Sequence, residues 1–232
     1  MKRITTFCVL VFSCCDVMSQ SPDTILSRIV KVYQGDFTVT VNATYRYYPD
    51  YYSHTVTDSM KAILIMHGNN YYFKLGDIEM MRQNEYYIMA DQSSKKLSVS
   101  ESLNSLVDEQ PTGMLDMLLK QHDVKLTSFN PGKGLKGIII YYIGSEIVQA
   151  TIIADEHNYI KKCILRYQKD IDWANKKVSY SKLEIIYGEP MVSNTSFPAN
   201  QYGLNRFVQL KKDGSFQVTP KYNKYELTDN TD

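Results

Sequence analysis

From Phe37 to Tyr47 (FTVTVNATYRY) apolar and polar side chains alternate for eleven residues without a slip. A period of two places alternate side chains on opposite faces of a pleated backbone, so the segment reads as a long strand with one face buried and one wet. Such a strand is unstable alone and must find partners in a sheet.

The rest of the sequence supplies them in series. Met60–Met66 is closed by Gly68-Asn69-Asn70, and Tyr71–Leu75 turns at Gly76-Asp77. Ile78–Gln83, Glu85–Ala90 and Lys96–Ser100 follow, the last two separated by Asp91-Gln92-Ser93-Ser94. Clusters of Gly, Asn, Asp and Ser between apolar runs are turn chemistry. Strands resume at Lys125–Phe129, Gly137–Ile143, Glu146–Ala154, Asn158–Gln168 and Lys177–Tyr187. The tail Ser196–Leu227 adds shorter ones around a Lys212-Asp213-Gly214-Ser215 hairpin turn, and the last five residues read as frayed.

Two segments break this pattern. Pro22–Tyr33 carries Ile25, Leu26, Ile29, Val30 and Tyr33 at helical spacing, with Ser21 placed to cap it and Gly35 to end it. Ser102–His122 reads as a mixed stretch holding one short helix after Pro111, through Met114, Leu115, Met117, Leu118 and Leu119. With no internal repeat and no flexible linker, residues 21–232 form one domain. The expected fold is mainly β (α+β): an unclosed, curved antiparallel β-barrel whose helices cover the concave side, with a C-terminal β extension over about 202–228.

The first twenty residues read as an address. Lys2 and Arg3 precede an apolar run from Ile4 to Cys15, too short to span a bilayer but suited to a signal-peptide core, with cleavage near Ser19–Ser21. A second reading takes Val11-Phe12-Ser13-Cys14 as a loose lipobox, with Cys14 or Cys15 acylated and the protein membrane-anchored. The first reading makes the chain periplasmic. Removing the segment takes away Lys2, Arg3 and Asp16, leaves the remainder formally neutral, and keeps only Cys163 of the four cysteines. Cys163 sits in a strand-like run and packs as a small hydrophobe. No second apolar segment is long enough to span a membrane as a helix.

With 26 basic against 25 acidic side chains, the sequence lacks the basic surplus that a nucleic-acid partner requires. Catalytic groupings are missing too. His54, His67, His122 and His157 are isolated, and Asp155-Glu156-His157 falls between two strands, where a solvated turn is the simpler reading. No spacing of Cys and His asks for a metal, and no motif asks for a cofactor. Gly132-Lys133-Gly134-Leu135-Lys136-Gly137 matches a dinucleotide fingerprint literally, but the β-branched run Ile138–Ile143 after it is a strand where the fingerprint needs a helix. The motif is a hairpin connection, and the chain is read as a non-enzyme. Most of the 19 tyrosines fall in strands, which suit them. Tyr47, Tyr48, Tyr51 and Tyr52 crowd one loop and form a sticky rim.

In element order the chain resembles the periplasmic lipoprotein-carrier family of LolA/LolB-like proteins. The resemblance is carried by ILSRIVKVYQGDFTVTVNATY, MKAILIMHGNNYYFKLGDIEMM and YYIMADQSSKKLSVSE, then EIVQATIIADEHNYIKKCILRYQ and VSYSKLEIIYGEPMVSNTSFP, over about residues 25–198. It implies a signal peptide, a helix, and a long strand entering an unclosed barrel that carries lipid. The family's Lys-Arg-Pro turn after the second strand, whose Arg holds the lid shut, is absent: Met66-His67-Gly68-Asn69-Asn70 stands there. The family does not explain the tail beyond Tyr202.

The reading that follows is an apolar hollow for acyl chains of a lipid or lipoprotein, with outer-membrane lipoprotein sorting as the role the resemblance implies. Phe37, Val39, Val41, Met60, Leu64, Met66, Tyr71, Phe73 and Leu75 share strand parity and are the expected lining, continued by Leu165, Tyr167, Leu183, Ile185 and Tyr187. Ile25, Ile29, Met114 and Leu118 are the expected lid. The alternative is an envelope adaptor that binds another protein through the Tyr47–Tyr52 loop or the C-terminal strands.

Overall fold

A computed structural model of the chain describes residues 21–101, 124–143, 145–172 and 177–231. The N-terminal segment with Cys14 and Cys15, and the stretch Ser102–His122 with Met114 and Leu118, lie outside the described residues.

The helix α1 spans Pro22–Tyr33. The Ser21 side chain accepts from the Thr24 amide, Pro22 occupies the first turn where its missing N–H costs nothing, and Lys31 stands in the last turn. The strands run in chain order: β1 (Thr38–Tyr48), β2 (Asp58–His67), β3 (Asn70–Leu75), β4 (Ile78–Gln83), β5 (Tyr86–Asp91), β6 (Lys96–Glu101), β7 (Val124–Phe129), β8 (Lys136–Tyr142), β9 (Ile147–Ala154), β10 (Ile160–Asp172) and β11 (Lys177–Tyr187). Beyond them come β12 (Met191–Ser193), the hairpin β13 (Val208–Leu210) and β14 (Phe216–Val218), and β15 (Glu226–Asn230).

Two meanders, β1–β6 and β7–β11, join where β11 pairs antiparallel with β1, and the result is one 13-stranded sheet in the order β15-β6-β5-β4-β3-β2-β1-β11-β10-β9-β8-β7, with β12 also on β1. The two ends of that order do not pair with each other, so the curved sheet stays an unclosed barrel. The Gly132–Gly137 motif is the β7–β8 connection. Gly132 and Gly134 have positive φ as the turn demands, and Gly137 lies in β8 opposite Phe129, whose ring covers the place a Cβ would take.

Two cores lie on the two faces. On the concave face, α1 buries Ile25, Leu26, Ile29, Val30 and Tyr33 against Val39, Val41, Met66, Tyr71, Ile138, Ile140 and Ile152. The Ile160 amide donates to the Tyr33 hydroxyl at 2.9 Å, tying the helix to β10. Replacing Tyr33 by Phe is expected to leave that buried N–H without a partner and lower stability by about 1–3 kcal/mol, read by urea denaturation.

On the convex face of β2–β6 the C-terminal segment forms a second core. Phe197, Phe207, Val208, Phe216 and Tyr222 pack on Ile65, Tyr72, Met81, Ile88, Leu97 and Val99. Glu79, 1% exposed, is the latch. It accepts from Arg206 Nη2 at 2.7 Å, Tyr72 Oη at 2.9 Å, Gln92 Nε2 at 2.7 Å and Tyr222 Oη at 3.2 Å, with Lys74 and Lys221 within 4 Å. Burial opposes its charge, but Arg206, Tyr72 and Lys221 outweigh burial and hold its pKa down from 4.5 to about 2. A depressed carboxylate contributes stability that is present above its unfolded pKa and lost as pH falls through the folded one. We therefore expect about 3 kcal/mol to disappear between roughly pH 5 and pH 2. Following the Tyr222 and Phe207 rings by NMR during acid titration checks whether this segment releases first.

The expectation of frayed last residues is corrected. Thr228, Asp229 and Asn230 pair in parallel with Ser98, Val99 and Ser100, because Glu226 donates its amide to the Lys95 carbonyl and sets the chain along the β6 edge. An otherwise open edge is thereby covered. This is also the one parallel pairing among the described strands of a sheet expected to be antiparallel throughout.

Candidate functional site

Strand register fixes which side chains meet on the concave face. Counting outward from α1, Val39 stands opposite Met66 and Val41 opposite Leu64, then Ala43 opposite Ala62, then Tyr45 opposite Met60. The same row continues from Ala62 to Leu75 on β3 and from Ala43 to Tyr187 on β11. Two alanines therefore face each other where the flanking rows carry large side chains. Neither they nor α1, which packs against β7 and β8, fill the space above them.

The outcome is an apolar hollow of about 180 Å³ lined by Ala43, Tyr45, Ala62, Leu64, Phe73, Leu165, Tyr167, Leu183, Ile185 and Tyr187. An engineered cavity of about 150 Å³ with hydrocarbon walls stays dry and admits benzene, whereas drug-sized sites run to roughly 300–1,000 Å³. The hollow is thus sized for a ring or a stretch of one chain. Among the described residues, none of its lining side chains bears a charge.

Its tyrosines stay neutral. Burial, then Cys163 and Tyr167, push Tyr45 up to about 12. Burial also raises Tyr167 and holds Tyr187 well above the ordinary value, in both cases with Cys163 as the next cause. Cys163 lies beneath, paired with Ile185 and Ile152, and burial pushes its thiol up to about 12. It is a packed hydrophobe with no thiolate character at neutral pH.

Of the residues expected to line a hollow, Leu64, Phe73, Leu165, Tyr167, Leu183, Ile185 and Tyr187 surround this one. Val39, Val41, Met66 and Tyr71 share its face but are buried in the core at the α1 end, where Ile25 and Ile29 of the expected lid pack into them. Phe37 and Leu75 are half-buried against that core. Met60 is 41% exposed at the outer end of β2, past the row that α1 and the long side chains cover. Sequence reading missed Ala43, Tyr45 and Ala62. Their parity was legible, but a small residue becomes a wall only when its cross-strand partner is small as well.

The tyrosine rim divides. Tyr52 is 75% exposed and Tyr47 38%, while Tyr51 stands edge-on to Tyr52 and stacks over Arg166, which also lies over Tyr180 at 3.7 Å. Tyr48 is a correction: it is buried and donates to Glu184 Oε2 at 2.8 Å, so it braces the sheet instead of forming a rim. Asp155-Glu156-His157 is the β9–β10 turn, with Glu156 and His157 exposed, Asp155 half-buried and Asn158 at positive φ. Among the described residues no group of three or more His, Cys, Asp or Glu is placed to hold a metal ion, and no helix is long and apolar enough to cross a membrane.

No family profile and no curated protein matches the chain by sequence. Among solved structures it is similar to an uncharacterised conserved protein from Thermus thermophilus, at 11% identity over 91% of this chain and 100% of that one, with a TM-score of 0.48. It is also similar to a LolA superfamily protein from Nitrosomonas europaea, at 10% identity over 78% of this chain and 96% of that one (TM-score 0.36). A third is a DUF1329 family protein from Desulfovibrio piger, at 9% identity over 81% of this chain and 98% of that one (TM-score 0.40).

Proposed function

We propose that this protein is a periplasmic binding or carrier protein that holds part of an acyl chain, from a lipid or a lipoprotein, in the concave hollow. The observation that carries this reading is the facing pair Ala43 and Ala62, which leaves an uncharged void between β1–β2 rows that carry larger side chains. At roughly 30 Å³ per water-sized group the void takes about six such groups. Burying as many methylenes at about 0.8 kcal/mol each is worth about 5 kcal/mol. Taken before association costs, a gain of that size corresponds to a dissociation constant no tighter than about 0.2 mM, so the cargo is held weakly. A carrier must load and release, so weak binding suits the role. The N-terminal apolar run supplies the export this role needs, and sorting of outer-membrane lipoproteins is the specific task we assign to it.

Native mass spectrometry of the chain, purified after expression with its N-terminal segment intact, tests the reading. Co-purified lipid, lost on delipidation and regained on incubation with short-chain lipid, is the expected result. A bare chain mass that no apolar ligand changes would overturn it. One observation favours a second reading. Tyr52 and Val56 on the β1–β2 loop are exposed at 75% and 39%, as an envelope adaptor would need in order to dock another protein. A partner lost on Tyr52→Ala, combined with a ligand-free mass, would move the conclusion there.

A further inference from the structure

Buried phenols in this chain have partners. Tyr33 accepts from the Ile160 amide, Tyr48 donates to Glu184, Tyr72 and Tyr222 donate to Glu79, and the half-buried Tyr87 donates to Met80 Sδ at 3.1 Å. That is the general behaviour of a tyrosine taken out of water. The half-buried Tyr45, Tyr142, Tyr159, Tyr167 and Tyr187 depart from it, and of these Tyr45, Tyr167 and Tyr187 stand at the hollow. All three are half-buried and line the hollow, and among the described residues none of their hydroxyls makes a hydrogen bond. They are also close to one another, since Tyr45 senses Tyr167 and Cys163, and Tyr187 senses Tyr45 and Cys163. Among the described residues, every other side chain lining the hollow is hydrocarbon. Three uncommitted O–H groups in a hydrocarbon-walled space have the composition of a ligand site, namely an apolar body with a few convergent polar groups.

We propose that Tyr45, Tyr167 and Tyr187 select the occupant by donating to an ester carbonyl, so that the hollow prefers an esterified chain over both a free carboxylate and a bare hydrocarbon. This rests on the acyl-chain reading above and names the head group its cargo carries. A carbonyl oxygen has two lone pairs and takes two of the three donors, leaving one for the second ester oxygen. A carboxylate offers equally good acceptors but brings a charge that no cation among the described lining residues neutralises, and burying an unpaired charge is far costlier than burying a neutral ester. The surroundings that keep the phenols protonated oppose any other anion at the same place. A plain hydrocarbon fills the space and leaves the three donors unmet.

Displacement of the neutral dye 1-aminoanthracene by methyl decanoate, decanoate and decane tests this. In the unaltered chain methyl decanoate should displace the dye at roughly tenfold lower concentration than decane or decanoate, at a net worth of roughly three- to tenfold per hydrogen bond. In the triple variant Tyr45→Phe, Tyr167→Phe, Tyr187→Phe, which removes three oxygens and little volume, the ester should fall to within about twofold of decane while decane itself is unchanged. Should the triple variant fail to fold, each single Phe variant should lose roughly threefold for the ester alone. Two further ligands, monodecanoin and a diacylglyceryl-cysteine peptide with ten-carbon chains, separate a glycerolipid source from a lipoprotein source. Either one outcompeting decane supports the inference. Equal binding of ester and decane, tighter binding of decanoate, or an ester preference that survives in the Phe variants would overturn it and leave the carrier reading standing. If neither the dye nor any of the ligands binds, the carrier reading itself fails.

Discussion

Replacing Ala62 by phenylalanine is expected to abolish ligand uptake, by thirtyfold or more, while the protein stays folded. Ala62 faces Ala43 across the β1–β2 pair and lies beside Leu75, so a ring at this position projects into the hollow itself. Filling a void restores contacts that its walls lack, whereas crowding a well-packed core costs roughly 1–3 kcal/mol. A void of about 180 Å³ has room for the ring, so unfolding by urea should shift little. Ala62→Leu, a smaller plug, should weaken binding by an intermediate factor and guards against a folding failure of the larger variant. The same change on the far side of the sheet should leave uptake intact, as with Ala90→Leu in the convex core, even though it destabilises the fold. Unaltered affinity in Ala62→Phe would mean that the ligand sits elsewhere.

The second large effect concerns stability. Arg206→Ala removes the cation that donates to Glu79 at 2.7 Å and leaves a carboxylate that is 1% exposed with only the more distant, partly exposed Lys74 and Lys221 to compensate its charge. Breaking a buried pair in this way costs about 3–5 kcal/mol, more than the pair itself contributes, because the remaining charge stays buried. The prediction has an internal check. Adding Glu79→Gln to Arg206→Ala should recover most of the loss, since the amide still accepts from Tyr72 and Tyr222 without needing a counter-charge. Because Phe197–Asn230 is held to the sheet through this group, proteolysis in Arg206→Ala should cut first between Ala199 and Asn223. A loss below about 1 kcal/mol, the size of an ordinary surface effect, or a double variant as unstable as the single one, would show that the latch does not hold the segment.

Local chemistry was enough to read most elements. The capping Ser21, Pro22 in the first turn and the spacing Ile25, Leu26, Ile29, Val30 give α1 its observed bounds, and the tight turns at Gly68-Asn69 and Gly76-Asp77 locate β2 to β4 within two residues. The parity of β1 and β2 correctly placed Val41 and Leu64 on one face. Register was harder to see. The β1–β2 connection runs through Tyr51-Tyr52-Ser53 and is far longer than a two-residue turn, so nothing local says that Ala43 meets Ala62. Ile63, Ile65 and Tyr72 carry a further signal. They are apolar at the opposite parity to Leu64 and Tyr71, as a strand buried on both faces must be. That pattern called for a covering element on the convex side, which the C-terminal segment provides. Glu79 and Arg206 are 127 positions apart, and Asp229 and Asn230 are poor strand formers, so neither the latch nor β15 is visible without the tertiary pairing.

The central claim, that apolar cargo enters the space above the two facing alanines, is tested most directly by methyl NMR. With alanine methyls labelled, titration with methyl decanoate should shift the Ala43 and Ala62 resonances saturably and together, while Ala90 in the convex core keeps its position. Saturating ligand that leaves Ala43 and Ala62 unmoved, or that moves Ala90 equally, would contradict the account.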